Sequence, residues 1–142
     1  MTRIDFYVDA SDKLAVAARL VGKARGNRHR VLIYSPDEAT ARAIDHLLWT
    51  TPPIGFVPHC MAHDRLAAET PVLIARRPDE LPHDDVLLNL DRESPPAFAR
   101  FHRLLEIVGN DDDDKAAARA RFRFYRDRGY ELHTHNLAAS ES

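Results

Sequence analysis

The side chains best suited to chemistry are concentrated near the C-terminus, in residues 111–130. Within this segment, residues 115–128 contain six cations and one acid, although the whole chain has a formal net charge of −2. The cations are Lys115, Arg119, Arg121, Arg123, Arg126 and Arg128. Guanidinium groups bind carboxylates through paired, charge-assisted hydrogen bonds. This local concentration of positive charge therefore predicts a site for an acidic ligand.

The surrounding residues predict a helix that presents many of these cations on one side. Asp111–Asp114 stand where the helix dipole favours negative charge, and Gly129 stands where a helix can end with positive φ. A 3.6-residue period groups on one face Lys115, Arg119, Phe122, Arg123 and Arg126. We favour a binding role for this face because an aromatic ring among arginines is otherwise poorly placed. For any single arginine, in contrast, we favour a solvated position on a helix whose other side covers the core.

Composition indicates one soluble globular domain that spans residues 1–142. Apolar residues make up 44% and charged residues 30% of the chain, and no apolar run approaches the ~20 residues of a membrane span. Cys60 is the only cysteine, which excludes an intramolecular disulfide and suits a cytoplasmic protein. The N-terminal sequence MTRIDFYVDA lacks the features of a signal peptide. The overall charge gives no reason to expect broad binding of phosphate backbones.

Strand and helix patterns alternate along most of the chain. The sequence predicts strands at 3–8, 30–34, 71–75, 86–90 and 131–135, and helices at 11–27, 36–49, 94–108 and 111–130. Ser35 and Glu38 have the spacing of a capping box around Pro36. This alternation predicts a three-layer α/β/α sandwich with a mainly parallel, Rossmann-like sheet.

A Rossmann-like fold raises the possibility of a nucleotide site. The segments that follow the first two strands, VDASDKLAV and YSPDEAT, contain no glycine, and no GxGxxG or GxxxxGK motif occurs. Without glycines the backbone cannot approach a pyrophosphate closely. We therefore expect the fold without the nucleotide site. A small nucleotide-dependent enzyme on a degenerate fold of this kind is the alternative hypothesis.

Other constellations that could do chemistry are weak. His59 and His63 have an H-x₃-H spacing, but Pro58 argues against a helix that would bring them together on one face. We expect these residues instead at the surface or packing in a loop. His133 and His135 alternate on a predicted strand, and two histidines alone do not make a metal site. No GxSxG motif is present. The sequence therefore predicts no catalytic residue, cofactor or metal.

A second candidate surface lies at 49–58, where Trp49, Pro52 and Phe56 fall within a proline-rich segment. Rigidly held aromatic residues are typical anchors of protein interfaces. The same residues could instead cover an edge of the sheet from outside. The pattern alone leaves both interpretations open.

Three segments together resemble the chi subunit of the bacterial DNA polymerase III holoenzyme: RIDFYV, RVLIYSPDEATARAIDHLLWTTPPIGFVPH and RARFRFYRDRGYELHTHN. The resemblance covers nearly the whole chain and includes no catalytic motif. It implies an α/β accessory protein of the clamp loader, similar to nucleotide-binding folds but without their function. Polymerase activity would reside in another subunit.

The resemblance also implies two partners. One is the psi subunit of the clamp loader, met by the side that carries Trp49, Pro52 and Phe56, for which a helicase can compete. The other is the acidic C-terminal tail of the single-stranded-DNA-binding protein, which ends in an apolar residue with a free carboxylate. The residues implied for the tail are Val108, Lys115, Arg119, Phe122, Arg123 and Thr134, with Arg126 adding to the positive field. Nucleic acid would then be reached only indirectly; direct binding of DNA by the arginine-rich helix is a further alternative.

Overall fold

A computed structural model describes residues 1–50, 59–62, 64, 70–77 and 84–140 of the protein. Over these residues the chain forms seven strands, four α-helices and one short 3-10 helix, Phe98–Arg100. The strands are β1 (Arg3–Ala10), β2 (Val31–Tyr34), β3 (His59–Met61), β4 (Val72–Ala75), β5 (Val86–Asn89), β6 (Arg103–Gly109) and β7 (Glu131–Asn136). The helices are α1 (Lys13–Gly26), α2 (Glu38–Thr50), α3 (Asp112–Asp127) and α4 (Leu137–Ser140).

The strands form one sheet in the order β3-β4-β2-β5-β6-β1-β7, and every neighbouring pair is parallel. Helices α1 and α2 pack on one face, while α3 and the 3-10 helix pack on the other. The predicted α/β class with a parallel sheet is confirmed.

The central strands are short apolar runs because both of their faces are covered. In β2, β4 and β5 every residue is buried. Val31 and Ile33 contribute to the core beneath α1 and α2, whereas Leu32 and Tyr34 contribute to the core beneath α3. This alternation across a strand that is apolar throughout is the pattern of a strand inside a parallel sheet.

The helix predicted at 94–108 is wrong, because most of its apolar residues belong to the central strand β6. All residues of β6 after Arg103 are buried, and the strand lies between β5 and β1. A short apolar run that is buried on both sides has no periodicity that distinguishes strand from helix. Pro95 and Pro96 precede only the 3-10 helix, which follows Ala97 at a φ of 57°.

Two further details differ from the sequence prediction. The capping box of Ser35 and Glu38 is wrong, because Asp37 caps α2 by accepting the N–H of Thr40 at 2.9 Å. His59, which we expect at the surface or packing in a loop, is instead buried on β3.

The ends predicted for α3 are confirmed: the side chain of Asp111 accepts the N–H of Asp114, and Gly129 has a φ of 81°.

A buried polar network joins β6 to α3. Glu106 is fully buried and accepts hydrogen bonds from the Tyr125 hydroxyl at 2.6 Å and from the Asn89 amide at 2.9 Å. Arg121 Nε lies 3.2 Å from the same carboxylate, close enough for an ion pair but not aligned for a hydrogen bond. Burial raises the pKa of Glu106, and the charge of Arg121 opposes that rise. Arg121 also donates to the Arg92 carbonyl, so it is a structural cation and not part of the exposed basic surface.

The first turn of α3 is held by a second buried carboxylate. Asp114 accepts the backbone N–H of Gly109 at 2.6 Å, and Lys13 Nζ lies 3.1 Å from the same oxygen. Burial by itself raises the pKa of Asp114, but the Gly109 hydrogen bond and the Lys13 charge outweigh it and hold the pKa below its usual range. Helix α1, strand β6 and helix α3 therefore meet at one carboxylate.

We predict that Tyr125→Phe destabilises the fold by about 2 kcal/mol, because it removes a hydrogen bond to a buried carboxylate. Urea unfolding at neutral pH measures this change. Tyr130→Phe is the matched control, since no hydrogen bond of the Tyr130 hydroxyl is found in the part of the chain that the structure describes. Equal stabilities of the two variants would contradict the role assigned to the network.

We predict a pH-dependent effect of Asp114→Asn. The folded pKa of Asp114 is below the unfolded value, so its charge stabilises the fold at neutral pH, and this contribution is lost as the pH falls through the folded pKa. The variant should be less stable than the wild type by about 1 kcal/mol at pH 7, and the difference should shrink towards pH 3. Urea unfolding at both pH values, with the exposed Asp112→Asn as control, tests this; a difference that does not change with pH would oppose it.

Candidate functional site

A pocket opens between α3 and the carboxyl-terminal halves of β1, β6 and β7. Its volume is about 270 Å³. It is lined by Phe6, Val8, Asp9, Val108, Lys115, Ala118, Arg119, Phe122 and Thr134. The pocket is thus assembled from residues near both ends of the chain.

The pocket lies where strand register and helix periodicity coincide. Phe6 is paired with Thr134 across β1 and β7, and both side chains lie on the α3 face of the sheet. On α3, Lys115, Ala118 and Phe122 follow one another at intervals of three and four residues, which places them along one stripe. The stripe faces the exposed ends of the three strands.

The pocket has an apolar floor. Phe6 and Val108 are buried, and the half-buried Phe122 ring has its centroid 5.4 Å from that of Phe6. Ala118 leaves space between the helix and the strands because its side chain is a single methyl group. The floor can therefore receive one apolar side chain of a ligand.

The rim of the pocket carries cations that are available to a ligand. No ion pair involves Lys115 or Arg119 among the residues that the structure describes. Two arginines further along this segment do have partners: Arg126 Nη2 is 3.3 Å from Asp127 Oδ1, and the Arg128 guanidinium lies 3.7 Å from the Phe124 ring centroid. An anion in the pocket would thus meet two positive charges that need not give up a protein partner.

The lining includes five of the seven residues predicted for the acidic tail: Val108, Lys115, Arg119, Phe122 and Thr134. Arg123 and Arg126 are exposed on α3 but are not part of the lining. The sequence prediction did not include Phe6, Val8, Asp9 and Ala118. The alternation in RIDFYV could have placed Phe6 and Val8 on one face, but nothing local indicates that β1 lies under α3.

An irregularity in β1 brings Asp9 to the pocket. Tyr7 pairs with Ile107 and Ala10 with Gly109, so Val8 and Asp9 together stand opposite Val108. Asp9 has a φ of 60°, which is uncommon for a residue with a side chain. Bulges of this kind redirect side chains and are over-represented beside functional sites.

The second predicted surface is only partly described. Trp49 is 46% exposed at the end of α2, and its ring centroid is 4.4 Å from that of His59. His59 Nε2 lies 2.9 Å from Asp45 Oδ1. Pro52 and Phe56 lie outside the described residues. Since His59 is on β3 and the pocket reaches β7, Trp49 and the pocket are at opposite edges of the sheet.

Histidines outside the pocket lie beside carboxylates in the described part of the chain. Within the described ranges no three His, Cys, Asp or Glu side chains converge as metal ligands; His63 lies outside those ranges. His135 Nε2 is 3.0 Å from the buried carboxylate of Asp5, which also receives Arg103 at 2.9 Å. Of the helices described, none is long and apolar enough to cross a membrane.

Known proteins match this chain over nearly its whole length. The family model described as DNA polymerase III chi subunit, HolC, matches residues 1–133. The DNA polymerase III subunit chi of Pseudomonas aeruginosa is 39% identical over 141 residues, which cover 96% of this chain and 98% of the relative. The same-named proteins of Haemophilus influenzae and Escherichia coli are 33% and 31% identical, with 86% and 87% of this chain covered and 85% and 87% of the respective relatives. This chain belongs to the DNA polymerase III chi subunit family.

Proposed function

We propose that this protein is a non-catalytic accessory subunit of the DNA polymerase III clamp loader. In DNA replication in the cytoplasm, it binds the acidic C-terminal tail of the single-stranded-DNA-binding protein and connects that protein to the loader. The observation that carries the proposal is the pocket with an apolar floor beneath two cations, Lys115 and Arg119, without ion pairs in the described structure. The polymerase reaction belongs to another subunit.

The terminal carboxylate of the tail is assigned to Arg119. Arg119 is exposed at the rim of the pocket and carries a planar guanidinium that can donate two parallel hydrogen bonds to a carboxylate. A free C-terminus supplies the carboxylate without requiring an acidic side chain at the end of the tail. Lys115, four residues earlier on the same helix, supplies a second positive charge for the acids that precede the end.

The terminal apolar side chain of the tail is assigned to the floor of the pocket. There it would contact Phe6, Val108 and Phe122. Burying a large apolar side chain contributes about 1.5–3 kcal/mol, and exposed ion pairs add up to about 1 kcal/mol each. Together these contributions are smaller than the ~8 kcal/mol of a micromolar complex, so they suit a weak contact that can exchange rapidly.

We predict that Arg119→Ala weakens binding of a tail peptide by at least about tenfold, because the guanidinium that pairs with the terminal carboxylate is removed. The fold should survive because the Arg119 side chain is exposed. The peptide is acidic and ends in an aromatic residue with a free carboxylate. Fluorescence anisotropy measures the affinity. Arg123→Ala is the matched control because Arg123 is also exposed on α3 but does not line the pocket.

The same peptide with an amidated C-terminus separates the terminal carboxylate from the other acids. It should bind the wild type about as weakly as the free peptide binds the Arg119→Ala variant. Unchanged affinity for the free peptide in Arg119→Ala would refute the assignment of Arg119. A loss of equal size in Arg123→Ala would show that the general positive field, and not the pocket, binds the tail.

The psi subunit is assigned to the opposite edge of the sheet. Trp49 is an exposed aromatic residue that packs against the buried His59 ring, so it is large and held in place, as interface anchors tend to be. A contact there leaves the pocket beside α3 accessible. The protein could therefore bind the clamp loader and the tail at the same time.

We predict that Trp49→Ala weakens binding of psi by about tenfold or more and leaves the affinity for the tail peptide unchanged, because the two surfaces lie at opposite edges of the sheet. Calorimetric titration with each partner measures both affinities. Loss of both interactions would indicate a general folding defect, and unchanged binding of psi would remove Trp49 from that interface.

A further inference from the structure

The pocket contains chemistry that also suits nucleic acid. Single-stranded DNA is bound by cationic grooves in which aromatic rings stack on bases. Lys115, Arg119 and Phe122 supply both elements. As proposed above, the pocket binds the acidic tail of the single-stranded-DNA-binding protein. A feature of the pocket must then disfavour the DNA strand that this partner protein itself carries.

Asp9 is the acid in the lining of this pocket. No hydrogen bond or ion pair of its side chain is found over the described ranges, so its charge is not neutralised by a neighbouring residue there. Its φ of 60° is a conformation that costs free energy for a residue with a Cβ, although aspartate adopts it more readily than most residues. The bulge opposite Val108 therefore places in the lining a carboxylate that makes no ion pair with the described residues, in the same pocket as Lys115 and Arg119.

The acids at the start of α3 add further negative charge to this region of the chain. Asp112 and Asp113 are exposed in the first turn, next to Lys115 along the chain. Asp114 does not contribute in the same way because it is buried against Lys13. The first turn of α3 thus carries exposed acids close in sequence to Lys115, whereas Arg119 lies one turn further along the helix.

We propose that Asp9 is a specificity-determining residue that excludes nucleic-acid phosphates from the pocket while admitting the end of an acidic peptide. This inference rests on the proposed function. A DNA strand carries a phosphate at every nucleotide, so a strand whose base stacks on Phe122 brings phosphates to a pocket that Asp9 also lines. A peptide carries a carboxylate only where its sequence supplies one, so its end can pair with Arg119 and place an apolar side chain, not a charge, beside Asp9.

The test compares an oligothymidylate with the tail peptide on the intact protein. Titration uses fluorescence anisotropy at about 50 mM salt, where phosphate contacts are little screened. Asp9→Asn should bind the oligothymidylate about fivefold more tightly than the wild type, the effect of removing one partly screened repulsion. Its affinity for the peptide should rise less. Glu93→Gln is the matched control because it removes one exposed negative charge away from the lining.

Asp9→Gly provides a second variant that removes the same charge. Glycine adopts positive φ without strain, so this variant separates the charge from any folding defect of Asp9→Asn. A gain in DNA binding by both variants, and not by Glu93→Gln, supports the inference. No gain by either variant, or an equal gain by Glu93→Gln, overturns it. If the wild type fails to bind the tail peptide, the proposed function fails, while the DNA comparison still decides the role of Asp9.

Discussion

The pocket depends on the buried contact between the Glu106 carboxylate and the side chains of Arg121 and Tyr125. An ionised carboxylate in a protein interior is costly unless it is paired and hydrogen-bonded. Here Asn89 of β5 supplies one partner, and the other two, Arg121 and Tyr125, come from α3, so the helix must lie over β6 in a rotation that turns both side chains inward. The same rotation places Arg119 and Phe122 beside the strand ends. A buried ion pair of this kind is weak evidence for high stability, but it does fix orientation.

The helix therefore uses chemically identical side chains in two ways. Arg121 is buried and joined to a carboxylate, whereas Arg119, two residues earlier, is exposed at the rim. Two residues of a helix differ in direction by about 200°, so neighbouring arginines face opposite surroundings. The count of cations in 115–128 thus overstates the charge available to a ligand, and the location of each guanidinium decides what it does.

Parallel strand order explains why distant parts of the chain share one pocket. Strand β1 lies between β6 and β7, so residues near the N-terminus are placed under a helix that forms near the C-terminus. The carboxyl ends of parallel strands meet at one edge of the sheet, which is where α/β proteins commonly bind ligands. In this member of the chi family the strand ends contribute an apolar floor and one acid instead of a glycine-rich phosphate loop.

The sequence by itself determined the features that depend on neighbouring residues. Unbroken apolar runs indicated a parallel sheet, Asp111 and Gly129 indicated the ends of α3, and the 3.6-residue period grouped Lys115 with Phe122. Only the tertiary structure decided that 103–109 is a strand, that Arg121 points inward and that Asp9 joins the pocket. The reason is physical, because capping and helical periodicity depend on residues close together in sequence. Whether an apolar run forms a strand, and whether a charged side chain is buried or exposed, depends on the elements that pack against those residues.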